Sequence, residues 1–246
     1  MKTKIVILIS LIILLGACPA HGENITFTSS GQILPGEEWD NVYIYNDDTI
    51  VDMLGGSADW IATYDASTLN VVDGSAEVQA FDDSTINISG GDIHLATAIN
   101  NTTINFLTSD YTDALITEDS ATINMQGGSV ERIIARDSGT SNLHAGSVTD
   151  YLTAYDSTVV NIYGYDLVKT GSGGSYGDGQ VYGYWMNDAP FLINLRGVDA
   201  YSHINLVPEP CTLVLVGVGA LLVRRKIEHS HKPLHKTGNY NIIESR

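Results

Sequence analysis

Apolar and polar residues alternate with a period of two in short segments along most of this chain. In the segment Thr85-Ile86-Asn87-Ile88, the two isoleucines share one face, and the threonine and asparagine share the other. Such alternation is typical of a β-strand with one buried face. The same positions elsewhere carry the apolar pairs Leu69/Val71, Ile104/Phe106, Ile123/Met125 and Val160/Ile162. We therefore expect strands whose aliphatic residues point inward and whose Thr and Asn residues point outward.

These segments form an internal repeat, which is clearest when the outward amides are aligned. The aligned positions are 18, 17, 18, 19, 18 and 19 residues apart, at Asp52, Asn70, Asn87, Asn105, Asn124, Asn142 and Asn161. A repeat of about 18 residues is too short for a helical hairpin and fits one rung of a β-solenoid. The predicted fold is all-β: a single-stranded parallel β-helix, or β-solenoid, with about seven rungs in residues 41–167.

A second set of inward positions precedes the corner of each rung and alternates large with small residues. Such neighbouring columns fill a narrow core without voids. The small column is Thr63, Ala80, Ala98, Thr117 and Ala135, and the larger one is Ile61, Val78, Ala96, Leu115 and Ile133.

The two ends of a solenoid expose edge strands, so both ends need covering. We expect residues 23–40 to form an N-terminal cap. Residues 168–206 are expected to hold a Gly/Tyr-rich surface loop at Gly171–Tyr184, followed by closing strands at Phe191–Leu195 and His203–Leu206.

The charge of the chain excludes some partners. The formal net charge is −17, and residues 23–207 hold 26 acidic against four basic residues, a balance of −22. This field repels phosphate backbones, so nucleic acid is not expected as a partner. The only cysteines are Cys18 and Cys211, so we expect no disulfide in the repeat region.

Acidic residues recur at one predicted corner of the rungs and suggest two roles. Asp and Asn suit such corners because their side chains bond to backbone groups of the turn. Stacked carboxylates also repel one another, and bound Ca²⁺ would relieve that repulsion. No other cofactor is expected. The candidate Ca²⁺ ligands are Asp65, Asp82, Asp119 and Asp137, with a second acidic column at Asp59, Glu77, Asp113 and Glu131.

Other outward residues suggest ligand binding or catalysis. The Thr-x-Asn face could bind sugar hydroxyls or ice, and the aromatic side chains of Tyr64, Phe81 and Tyr155 could stack on sugar rings. Some parallel β-helices are pectate-lyase-like enzymes, and here Arg132 and Arg136 are the only basic candidates for such a reaction. With no nucleophile-base pair or phosphate-binding loop, we expect no enzyme activity.

The N-terminus has the features of a secretory signal peptide, predicted at residues 1–22. A basic start, Met1–Lys4, precedes an apolar stretch at Ile5–Leu15, and Ala20-His21-Gly22 provides small residues for cleavage. The segment Leu15–Cys18 also resembles a lipobox, in which Cys18 would carry a lipid. Export is expected under both interpretations.

The C-terminus contains Pro208-Glu209-Pro210, an apolar run from Leu213 to Val223, and the basic cluster Arg224-Arg225-Lys226. This order resembles the PEP-CTERM sorting signal of Gram-negative bacteria, which we assign to residues 207–226. The resemblance implies a transmembrane helix and processing by an exosortase. Basic residues stay on the cytoplasmic side, which fits this topology. The polar tail 227–246 departs from the family, whose signals usually end after the basic cluster.

The expected function is that of an exported, non-enzymatic surface or extracellular-matrix protein. It would pass through an inner-membrane intermediate, held by the C-terminal helix, before reaching the envelope surface or matrix. It would be structural or associated with exopolysaccharide. The alternatives are a polysaccharide lyase or hydrolase, and a carbohydrate- or ice-binding solenoid.

Overall fold

The computed structural model of the chain describes residues 22–108, 111–171, 179–197 and 200–208. Nearly all of these residues lie in β-strands, as the alternation predicted. The elements are β1 (Glu23–Phe27), β2 (Gly31–Ile33), β3 (Glu38–Ile44), β4 (Ile50–Thr63), β5 (Thr68–Ala80), β6 (Thr85–Ile88), β7 (Asp92–Ala98), β8 (Thr103–Phe106), β9 (Thr112–Thr117), β10 (Thr122–Ala135), β11 (Thr140–Ala154), β12 (Val159–Thr170), β13 (Gly179–Tyr184), β14 (Pro190–Leu195), α1 (Ala200–His203) and β15 (Ile204–Pro208).

The strands coil in parallel, and each turn contributes a segment to each of two faces. On the first face, which carries the Thr-x-Asn sequence, Thr85 lies opposite both Thr68 and Thr103. On the second face, Val78 lies opposite Ile61 and Ala96. The long strands β4, β5, β10 and β11 run through both faces. The result is a parallel β-solenoid of about eight turns of about 18 residues.

The solenoid has about eight turns rather than the predicted seven, because strands at its ends join it. At the N-terminal end, β1 pairs in parallel with β3 and β2 with β4, within the segment expected to be a separate cap. At the other end, β15 pairs in parallel with β12. The strand β2 lacks the Thr-x-Asn signature but keeps an inward Ile33, which is fully buried opposite Met53. An alignment built on asparagines therefore misses this rung.

The inward residues predicted from the alternation form the core. Ile86 and Phe106, in adjacent rungs, are both 0% exposed. Burying a side chain of this size contributes about 1.5–3 kcal/mol, so the inward columns are the main source of stability. The small inward column also holds hydroxyls, and Thr63 Oγ1 and Ser84 Oγ share a hydrogen bond of 2.8 Å. This bond satisfies two polar groups inside the core.

The strands β12, β13 and β14 form an antiparallel sheet at the C-terminal end, called here the cap sheet. The prediction of a surface loop at Gly171–Tyr184 is therefore wrong for Gly179–Tyr184, because these residues form β13. Gly179 and Gly183 occupy inward positions of this strand. A Cβ would lie 3.1 Å from a methyl of Leu195 at the first and 2.9 Å from one of Leu167 at the second. These glycines permit the strands to pack closely, although a segment so rich in glycine is typical of a loop.

Two polar contacts tie the cap sheet to its surroundings. The indole Nε1 of Trp185, a residue only 3% exposed, donates a hydrogen bond of 2.9 Å to the carbonyl oxygen of Gly146 in the solenoid. The ammonium of Lys169 donates a bond of 3.0 Å to the carbonyl oxygen of Ile204, the first residue of β15. Burial lowers the pKa of Lys169. The last parallel strand is thus held by a side chain of the cap sheet.

Most of the predicted terminal signals lie outside the described residues. Within the described ranges, no helix is long and apolar enough to cross a membrane. Pro208, the first residue of the predicted sorting motif, is described and ends β15. The predictions outside the described ranges are the signal peptide up to residue 21, the lipidation site Cys18, the motif residues Glu209 and Pro210, the apolar run, the basic residues Arg224, Arg225 and Lys226, and the tail 227–246.

Candidate functional site

The outward amides of the first face form a continuous hydrogen-bonded ladder. Each asparagine donates from Nδ2 to the side-chain oxygen one rung earlier, over distances of 2.8 to 3.2 Å. The asparagine ladder runs from Asn205 through Asn161, Asn142, Asn124, Asn105, Asn87 and Asn70 to Asp52. The half-exposed positions of these side chains confirm the prediction that they point outward. Their bonding to one another was not part of that prediction.

All hydrogen bonds of the asparagine ladder run in the same direction, and the ladder ends on an acceptor. Every bond points toward the N-terminus, and the last acceptor is the carboxylate of Asp52, 2.8 Å from Asn70 Nδ2. An ionised carboxylate accepts but does not donate, so an aspartate fits only where no further donor is needed. Each amide inside the ladder still has one N–H and one lone pair that the ladder does not use. Together with the neighbouring threonines, these groups repeat along the first face at the strand spacing.

Removing an amide from the middle of the asparagine ladder should destabilise the fold measurably. Asn124→Ala breaks two ladder bonds, and at about 1 kcal/mol each the free energy of unfolding should fall by about 2 kcal/mol. Asn205→Ala is the matched control, because it breaks only one bond. Denaturant unfolding of the full chain in mild detergent, followed by circular dichroism, measures both variants. Equal losses would mean that the ladder bonds contribute nothing beyond the local strand preference.

The predicted acidic corner is a column of left-handed backbone positions. Asp65, Asp82, Asp119 and Asp137 have φ of 57, 63, 53 and 57°, and Asn46 and Asn100 share this conformation. Asp and Asn are the residues other than glycine that tolerate it best. The Asp65 carboxylate also accepts a bond of 2.9 Å from the backbone N–H of Asn46. The corner therefore has a structural reason to be acidic.

Metal binding at this corner stays a prediction. Among the described residues, no group of three or more His, Cys, Asp or Glu side chains lies close enough together to hold a metal ion. Ca²⁺ would therefore need backbone oxygens, water or a neighbouring molecule to complete its six to eight ligands.

The second acidic column that the sequence suggested is interrupted at Glu77, where β-bulges shift the register. Asp113 and Glu131 keep their register, because Thr112 lies opposite Val130 and Ala114 lies opposite Arg132. Glu77 lies opposite Trp60 rather than Asp59, and on its other side it lies opposite Leu95. A bulge adds one residue to one strand, so side chains beyond it change partner. Glu131 also accepts a hydrogen bond of 2.8 Å from the hydroxyl of Tyr111.

Three aromatic residues stack along the outward side of the corner. The ring centroids of Tyr45 and Tyr64 are 4.7 Å apart, and those of Tyr64 and Phe81 are 5.0 Å apart, with nearly parallel planes. Burial is the main cause that raises the pKa of Tyr64. Because each ring covers the face of the next, Tyr64 offers an incoming sugar only its edge. The stack therefore contributes to packing between rungs and gives little support to sugar stacking at this place.

The two arginines considered for catalysis lie beside carboxylates. Arg136 Nη1 is 2.9 Å from Glu118 Oε1, and the two residues lie on adjacent rungs in one outward column. Arg132 Nε is 3.9 Å from Glu131 Oε1. A guanidinium next to a carboxylate stays protonated and is a poor proton acceptor. Among the described residues, no ion pair joins either arginine to Asp119 or Asp137.

An open cleft lies between the first face and the turn that joins β13 to β14. Its walls combine two amides and an imidazole with apolar groups, and they belong to Gln126, His144, Ala145, Met186 and Asn187. The His144 ring stacks on Tyr163 with 4.0 Å between centroids. Nothing in the repeat alignment marked this cleft, because Met186 and Asn187 come from outside the repeats.

Comparison with known proteins identifies no relative. The chain matches no family model, no curated protein and no solved structure. Its function must therefore be argued from its own residues.

The junction between the folded body and the predicted sorting signal is the remaining candidate site. In β15, Val207 lies opposite Tyr163, and Pro208 lies opposite Gly164. Pro208 is exposed and ends an edge strand, where the missing N–H of proline is tolerated. The first residue of the motif is therefore part of the last rung, with no linker before it.

Proposed function

We propose that this chain is an exported structural protein without enzyme activity, sorted through a PEP-CTERM signal to the envelope surface or extracellular matrix. The observation that carries the proposal is the junction at Pro208, where the last strand of a repetitive acidic body ends and the motif begins. The apolar run and the cluster Arg224-Arg225-Lys226 follow in the order that such a signal requires. An exosortase would act at the motif while the chain is held in the inner membrane.

The outward side chains support a structural role. The asparagine ladder and the aromatic stack use their polar or aromatic groups on neighbouring rungs. At the left-handed corner, the side chains of Asn46 and Asp65 do the same. A lyase or hydrolase has less support, because Arg136 is paired with Glu118 over 2.9 Å. Regular rungs held by such contacts form a stiff body whose surface repeats along its length.

Exopolysaccharide is the partner that we propose for this surface. The unused amide groups of the asparagine ladder and the threonines beside it are suited to sugar hydroxyls. Because residues 23–207 carry a balance of −22, a neutral polysaccharide fits better than an acidic one. An ice-binding role has no observation that favours it over sugars.

The sorting signal can be tested with one substitution in the full chain. We expect Glu209→Ala to abolish the shortened product that appears in a Gram-negative host with an exosortase, because it removes the motif's only charge. Pulse labelling and gel mobility measure the product. The matched control is Glu228→Ala, which changes an acidic residue of the tail and should leave processing intact. Equal processing of both variants, or no processing of the unmodified chain, would contradict the proposal.

A further inference from the structure

The cap sheet has an outer face that the described part of the solenoid does not cover. Cross-strand pairs define it, because residues directly opposite on neighbouring strands share a face. We call it the outer cap face, and it consists of three rows: Tyr165, Tyr184 and Pro190; Val168, Tyr182 and Leu192; and Thr170, Gln180 and Asn194. On the opposite face of the same strands, Val181 and Ile193 are 0% and 1% exposed. The sheet therefore packs one side on the body, and among the described residues nothing covers the other.

Two of the three rows of the outer cap face are apolar or aromatic, and its nine residues are uncharged, although the carboxylates of Asp166 and Asp188 border it. Tyr182 and Tyr184 are each 41% exposed, and Leu192 is 52% exposed. Met186, in the adjoining turn, is also 52% exposed. None of the nine residues of the face carries a charge, although residues 23–207 have a balance of −22. Clustered exposed apolar residues with no charge among them mark a contact surface rather than ordinary scattered exposure.

The chain leaves the folded body beside this face. Pro208 lies opposite Gly164, and the next residue of β12, Tyr165, begins the first row of the outer cap face. The apolar rows are nearest this exit, and the polar row of Thr170 is farthest from it. After Pro208, four residues precede the apolar run that begins at Leu213. Four residues span at most about 14 Å, so a membrane holding that run lies within reach of this edge.

We infer that the outer cap face rests on the lipid headgroup region while the C-terminal run is in the membrane. This inference rests on the proposed membrane intermediate and adds a contact surface to it. Tyrosine suits this position, because its ring is apolar and its hydroxyl can stay in water. The Tyr165 hydroxyl donates a 2.6 Å hydrogen bond to the Asp188 carboxylate, which raises the pKa of Tyr165 to about 12. Its phenol therefore stays neutral at any physiological pH.

Lipid fits the face better than a second copy or a glycan would. The tether keeps the face next to the membrane at high effective concentration, so weak attraction from a few side chains is enough. The exposed carboxylates nearest the face, Asp166 and Asp188, can remain in the aqueous layer of a zwitterionic bilayer. Once the chain is cleaved after the motif, the tether is lost and this contact would weaken with it.

The test places a fluorescent probe on the face in the full chain. The probe variant is Tyr182→Trp, and the control is Tyr111→Trp. Both tyrosines are 41% exposed, but Tyr111 lies in the solenoid and not on the outer cap face. Each variant is reconstituted into zwitterionic phospholipid vesicles with bromine on the acyl chains close to the headgroups. The emission of the unmodified chain, which contains Trp39, Trp60 and Trp185, is subtracted. We expect the emission of the Tyr182→Trp probe to shift to the blue and to be quenched by the brominated lipid. The control should show neither change.

Each other outcome overturns the inference. A Tyr182→Trp probe that is not quenched, in a chain that remains in the vesicles, would reject the lipid contact and leave the proposed sorting intact. A blue shift without quenching would mean that another copy of the chain covers the face. Equal quenching of both probes would show non-specific adsorption. A chain that alkaline carbonate removes from the membrane would reject the proposed anchor and the inference together.

Discussion

Phe106→Ala is expected to lower the free energy of unfolding by about 3–5 kcal/mol, through lost burial and the cavity that remains. Phe106 is 0% exposed, and its column neighbours are Ile88 and Met125. A narrow core has no second layer that can move into the space. In a solenoid each rung is stabilised mainly by its neighbours, so the damage should weaken the rungs on both sides. Since whole domains are stable by about 5–15 kcal/mol, this change alone could unfold the central part.

The next residue along the chain provides the control. Leu107 is 40% exposed and lies on the outward side of the same rung. Leu107→Ala should change the free energy of unfolding by less than about 0.5 kcal/mol, as is usual for surface substitutions. Urea unfolding of both full-length variants in detergent measures the difference. Similar losses for the two variants would contradict the inward and outward assignment on which the whole fold rests.

Gly91→Ala is expected to cost more than about 2 kcal/mol, because strain and collision add. Gly91 has φ of +83°, where an L-residue is strained. A Cβ at this position would also lie 2.7 Å from the carbonyl oxygen of Gly74, in the rung below. Backbone atoms of a neighbouring rung cannot rotate away as a side chain can. The change should therefore lower the melting temperature of the full chain in a thermal scan.

A second glycine separates the two causes. Gly36 has φ of +87°, but a Cβ there would meet nothing within 4 Å. Gly36→Ala should cost only the conformational strain, about 1–2 kcal/mol. If Gly91→Ala costs no more than Gly36→Ala, the rungs can move apart, and the glycines at this bend serve conformation alone.

The repeat and the core were predictable from the sequence, because both depend on local alternation. Ile86 and Ile88 point inward in any strand, whatever that strand pairs with. The first rung was missed because Gly31-Gln32-Ile33 keeps the inward residue and loses the outward signature. The strand β13 was missed because glycines that allow tight packing and glycines that allow flexible turns look the same in a sequence.

The candidate sites were less predictable, because they depend on register between rungs. The asparagine ladder requires Asn70, Asn87 and Asn105 to meet although their spacings differ by one residue, and the turns absorb the difference. Aspartate suits both a left-handed corner and a calcium site, so its type could not distinguish these roles at Asp65. Bulges, which moved Glu77 opposite Trp60, leave no mark in the alternation that the sequence shows.

The strand β15 is both the final rung and the point at which the chain continues toward its predicted anchor. Backbone hydrogen bonds between rungs lie along the axis of a solenoid. Tension along that axis, applied through Pro208, would therefore load the bonds between β15 and β12 one after another, as in a zipper, rather than all together. The last rung is thus the part that would yield first to a pull at Pro208. Lys169, which bonds Ile204 at the far end of β15, would be loaded last and would resist complete release of this strand.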